Sequence, residues 1–189
     1  MPLSAEQLLA IARNYFRADK EYDNRPVNSP EHIRLCELWD EKLKKLDQWW
    51  AFLEELEKEL PGFTIGDGTA TANTSFRCSA YPPRDPTYLR PWVVVGCVSI
   101  LAPLYTVYGV QFEYRGKKHS GDKVFLDSLP PEMQHPAEVI ARRLEATFEV
   151  RALPHELAQT PIPLIVGWKE PPHTTLFHAL FTSEPQSIA

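Results

Sequence analysis

The chain has 189 residues, 43% apolar and 24% charged, which fits one globular domain with a sizeable core. Its formal net charge of −5 argues against electrostatic binding to nucleic acid or to an anionic membrane. No apolar stretch nears 18 residues, and the first 23 residues lack the basic, then apolar, run of a signal peptide, so a cytoplasmic protein is expected.

In chain order, Ser4 starts a first helix, with Gln7 three residues later as its capping-box partner. Leu8, Ile11, Ala12, Tyr15 and Phe16 follow on one face. "DNRPVNSP" breaks the chain. Ser29 caps a second helix, Pro30 takes its first position and Glu31 suits its dipole. This helix is predicted to run to about Leu60, where Pro61-Gly62 stops it. At 100° per residue, Leu35, Trp39, Leu43, Leu46, Trp50, Leu53 and Leu60 form one apolar stripe, widened by Leu38, Trp49 and Leu56. Glu37, Glu41, Gln48, Glu55 and Glu59 lie opposite. The two helices are predicted to form an antiparallel hairpin.

After Gly66-Asp67-Gly68 the period changes from 3.6 to 2. "TATANTSFRCSAY" reads as a half-buried strand and "YPPRDPTYLRP" as a stiff loop. "WVVVGCVSIL" is apolar on both faces and belongs in the sheet centre. "LYTVYGVQFEYRG" alternates again, and "KVFLDSL" is a short strand. "HPAEVIARRLEATFE" is a third helix with Pro136 at its start and Ile140, Leu144 and Phe148 inward. "PIPLIVGW" reads as a strand, and "TTLFHALFTSE" as a short helix or strand. The prediction is one α+β domain over 1–189, with an N-terminal helical hairpin (1–60) packed on a mainly antiparallel sheet (62–127). A further helix, a strand and a C-terminal segment complete it (128–189).

The residues that usually carry chemistry are scattered. Cys36, Cys78 and Cys97 are odd in number with no CxxC, and read as buried reduced thiols. The six histidines form no HxxxH or HExxH, and His119, Asp122 and Asp127 read as loop residues rather than metal ligands. No GxSxG occurs, and "GDG" at 66–68 lacks the lysine and helix of a phosphate loop. "YRGKKH" at 114–119 is a strand end and turn rather than a nucleic-acid site. No catalytic residue, metal or cofactor is predicted.

One feature stands apart. Residues 30–60 hold nine acidic and five basic side chains, a balance of −4 out of −5. Several of those carboxylates sit at a helix C-terminus, the negative end of the dipole. Asp40–Lys44, Glu41–Lys45 and Glu54–Lys58 have favourable helical spacing and suit a solvated face. The excess acid suits a surface that meets a basic protein, with Glu41, Asp47, Glu54, Glu55 and Glu59 as the binding residues.

"LDQWWAFLEELEKELPG", "RCSAYPP" and "VSILAPLYTVYG", within residues 35–115, resemble the bacterial immunity proteins of polymorphic toxin systems. The resemblance implies a non-enzymatic protein that binds and neutralises a cognate protein toxin. The alternative is a small-molecule-binding or enzymatic α+β domain using a cavity between sheet and helices.

Overall fold

A computed structural model of the protein describes residues 1–19, 29–84 and 90–188. The breaks read at 23–28 and 85–89 lie outside these residues. Helix α1 (Ala5–Ala12) starts as its sequence predicts. The Ser4 hydroxyl accepts the Gln7 N–H at 3.2 Å, and the Gln7 side chain accepts the Ser4 N–H at 2.9 Å. Helix α2 (Pro30–Leu43) begins at Ser29, whose hydroxyl accepts the His32 N–H at 3.1 Å. Its expected continuation to Leu60 is broken at Lys44–Leu46, and a separate helix α3 spans Asp47–Glu59. Each helical residue turns 100°, so three residues at a break shift the inward face. Leu35, Trp39, Leu53 and Leu60 are buried as expected, but Leu43 and Trp50 are 39% and 46% exposed. Trp49, only 2% exposed, takes the inward place.

Five strands follow: β1 (Thr64–Asp67), β2 (Ser75–Tyr81), β3 (Trp92–Ser99), β4 (Leu104–Arg115) and β5 (Lys118–Phe125). Then come α4 (Pro131–Phe148), β6 (Arg151–Ala152), α5 (His155–Ala158) and α6 (Leu176–Leu180). Among the described residues the sheet order is β1-β2-β3-β4-β5, each neighbour antiparallel, with β6 parallel to the start of β4. The fold is α+β with a mainly antiparallel sheet, and the apolar β3 sits at its centre. Pro131, not Pro136, takes the first position of α4, and Pro136 lies inside the helix. "PIPLIVGW" forms isolated bridges, such as Arg17 to Ile165, rather than a strand.

Strand alternation sends successive side chains to opposite faces. Val93, Val95, Cys97, Tyr108 and Val110 share a core with Leu8 and Ala12 of α1 and with Leu176, Phe177 and Leu180 of α6. Val94, Val98 and Tyr105 share another with Trp49, Phe52 and Leu56 of α3 and with Met133, Ile140 and Leu144 of α4. The expected hairpin is therefore divided: α1 covers one face of the sheet and α3 the other. Leu35 and Trp39 of α2 join Ile100 in a smaller cluster, where the Trp39 indole N–H donates to the Asn73 carbonyl at 2.9 Å.

Strand β2 is covered on both sides rather than half-exposed. The Thr74 hydroxyl donates to the Ala179 carbonyl at 2.7 Å, Ser75 to Phe181 at 3.0 Å, and Arg77 Nε to Gly68 at 3.0 Å. Hydrogen bonding of this kind lets polar side chains go inside.

The start of α6 carries a pH dependence. His178 Nδ1 accepts the Thr175 N–H at 3.0 Å, so the ring is neutral in that arrangement. Burial, with a smaller effect of the Lys169 charge, pushes the His178 pKa down to about 4 from an ordinary 6.5. The unfolded chain thus takes up this proton first as pH falls, and stability declines from about pH 6.5 to about 4. Glu41, Glu55 and Glu59 have lowered folded values, so their loss begins only as pH falls through the ordinary carboxylate value of 4.5. Urea midpoints at pH 7 and pH 5 should therefore differ more in the wild type than in His178→Asn. Equal differences would contradict the assignment.

Candidate functional site

The acidic segment supplies the most distinctive surface. Lys42 lies in the last turn of α2 and Lys44 at its C-cap, where cations meet the negative end of the dipole. Asp47 opens α3, where a carboxylate meets the positive end. The inward face of α3 carries Trp49, Phe52, Leu53 and Leu56. Asp47, Trp50, Glu54 and Glu57 follow the i, i+3, i+7, i+10 spacing of the opposite face, and all four are exposed.

The five carboxylates read as binding residues divide into two groups. Glu41 accepts a hydrogen bond from Lys44 at 2.8 Å. Glu55 pairs with Lys58 at 2.6 Å and with Arg143 of α4 at 3.6 Å. Glu59 pairs with Arg143, and with Arg142 at 2.9 Å. Hydrogen bonds from Arg143 and Lys58 hold the Glu59 and Glu55 carboxyls, respectively, below their ordinary values. The arginines of α4 thus offset the carboxylates at the unfavourable end of α3. Asp47 and Glu54 make no ion pair among the described residues. With Glu57 they share the exposed face of α3 with Trp50.

Beside this face, at the α2–α3 break, lies a groove of about 480 Å³ lined by Lys42, Lys45, Gln48 and the inner Trp49. Apart from these it is lined mainly by apolar side chains such as Phe76, Ile100 and Phe148, and no carboxylate borders it.

The other residues singled out in the sequence do not converge. Cys78 and Cys97 are buried free thiols, pushed by burial up to about 12 and about 11. They lie in different cores on opposite sheet faces. Cys36 is exposed rather than buried, with Sγ 3.4 Å from His32 Nε2. His119 Nε2 lies 2.5 Å from Asp122 Oδ1, while Asp127 is turned to a different place, a cavity beside His155. Among the described residues no three His, Cys, Asp or Glu side chains are grouped to hold a metal, and no helix is long and apolar enough to cross a membrane.

Sequence reasoning missed the exposure of Trp50 and the cavity at Asp127. The first had a signal: lysines at 42, 44 and 45 followed by Asp47 match a helix stop and a helix start. The second had none, because Asp127 and His155 belong to different elements. Comparison with protein-family models, curated proteins and solved structures finds no match to this chain.

Proposed function

We propose that the protein is a non-enzymatic binding protein that captures a basic protein through the outer face of α3, as an immunity protein captures its toxin. The observation that carries this reading is Trp50, 46% exposed among Asp47, Glu54 and Glu57. Exposed tryptophan is a frequent energetic anchor of interfaces, and surrounding charge steers encounter. The acidity of residues 30–60 sets the sign of the partner.

The test has two steps. Affinity purification with wild-type and Trp50→Ala baits should recover a basic protein with the first and lose it with the second. With that partner in hand, Trp50→Ala should weaken binding by about 30-fold or more, the scale of a hot spot. Asp47→Asn with Glu54→Gln should slow association and flatten its dependence on salt. A partner bound equally by wild type and Trp50→Ala, with on-rates indifferent to both acidic positions, would remove α3 as the docking surface.

A further inference from the structure

The sheet has an opening along the edge of β4. Strand β6 pairs with β4 only at Leu104 and Tyr105, and β5 pairs with it only from Gly109 onward. The Leu153 N–H donates to the Tyr105 carbonyl at 2.9 Å. Odd-numbered residues of β4 therefore turn their backbone groups toward this edge, since the direction alternates along a strand. Val107 is next in that series. Neither β5 nor β6 places a residue opposite it, so its N–H and C=O face the gap between the two strands.

Val107 is half-buried, and backbone groups shielded from solvent are nearly always paired, so a gap at one residue of an edge can admit a ligand or water. Val107 borders a cavity of about 320 Å³ between β4, α4 and α5. Ala137, Ala141 and Ala158 leave room in it, and Leu126 and Phe177 give it an apolar wall. Asp127, Glu138, His155 and Gln159 supply its polar side chains, and no lysine or arginine lines it. The site thus offers one backbone donor, one backbone acceptor, an apolar wall and two carboxylates. The four polar residues are all exposed, so the hollow is open to solvent on their side, and an apolar wall beside a few polar groups is a make-up that suits a small molecule.

We propose that this cavity binds a small α-amino amide with an aliphatic side chain. The amide supplies an acceptor for the Val107 N–H and a donor for its C=O, as one residue of a neighbouring strand would. The ammonium group meets Asp127 and Glu138, and the alkyl group lies against Leu126 and Phe177. The cavity is independent of the α3 docking face, so either proposal can fail without the other.

The probe is L-leucinamide, titrated into the full chain by calorimetry and by ¹H–¹⁵N NMR. Saturable binding that moves the Val107 amide resonance is expected. N-acetyl-leucinamide, which lacks the ammonium, should bind at least about tenfold more weakly, as should leucinamide to Asp127→Asn, since one lost charge-assisted contact is of that order. Ala141→Leu should abolish binding by filling the hollow, its spectrum reporting whether the fold is kept. No binding at millimolar leucinamide, a Val107 resonance that stays in place, or equal affinity for the acetylated probe would each overturn the proposal.

Discussion

Replacing Trp49 with alanine is expected to destabilise the protein by about 3–5 kcal/mol, while the same change at the adjacent Trp50 stays within about 0.5 kcal/mol. Trp49 is 2% exposed and its ring meets three others, with centroids 5.1 Å from Phe52, 5.2 Å from Phe76 and 6.0 Å from Phe148. Truncation removes the middle of that aromatic cluster, between α3, β2 and the end of α4. Trp50 is 46% exposed, so its truncation opens no enclosed cavity. A third variant separates packing from polarity: the Trp49 indole N–H has no hydrogen-bond partner among the described residues. Trp49→Phe therefore gives up part of the ring but no hydrogen bond, and should cost much less than alanine. Urea unfolding of the three variants checks the order, and a Trp50→Ala penalty equal to that of Trp49→Ala would contradict the break between α2 and α3.

That break shows where the sequence is informative and where it is not. Caps are local, and the two at Ser4 and Ser29 are legible because partner and cap lie three residues apart. The central position of β3 is legible too, since only a strand covered on both sides tolerates "WVVVGCVSIL". The stripe misleads at Trp50 because a helical wheel assumes an unbroken helix and three residues suffice to shift the phase, whereas Leu43 precedes the break and is exposed as the last residue of α2. Strand β2 misleads for another reason. Its polar face, Ser75, Arg77 and Ser79, suggests water, yet carbonyls of distant or neighbouring loops receive Ser75 and Arg77.

The candidate site divides along the same line. The acidity of residues 30–60 can be read from the chain. That Glu55 and Glu59 meet Arg142 and Arg143 cannot, because the arginines stand more than 80 residues away and share no local pattern with them. Their pairing leaves Asp47, Glu54 and Glu57 as the carboxylates of α3 without an ion pair among the described residues. The opening beside Val107 is less legible still, because it is a property of where β5 ends and β6 begins rather than of any residue.

The second large effect is expected at Gly96, where α4 lies on the sheet. A Cβ there would stand 2.5 Å from Ile140 Cγ2, 3.0 Å from Cys78 Sγ and 3.4 Å from Leu144 Cδ1. Ile140 and Leu144 are fully buried in α4, and Cys78 is fully buried on the paired strand β2, so none has free space to move into. Gly96→Ala should therefore destabilise by about 1–3 kcal/mol through overpacking, despite the general preference of strands for residues other than glycine. Gly66 in the edge strand β1 is the control, since nothing lies within 4 Å of its added Cβ. Gly66→Ala should be neutral or stabilise by about 0.4–1 kcal/mol by restricting the unfolded chain. Ile140→Ala removes the clashing methyl and by itself leaves a cavity, at about 2–5 kcal/mol. If the clash is the cause, the double variant Gly96→Ala/Ile140→Ala should be more stable than the sum of the two by about 0.5–3 kcal/mol, because the new methyl then enters the space that Ile140 vacates. Additive costs in this cycle, or similar costs at Gly96 and Gly66, would mean that α4 is not seated on β3 as closely as these contacts require.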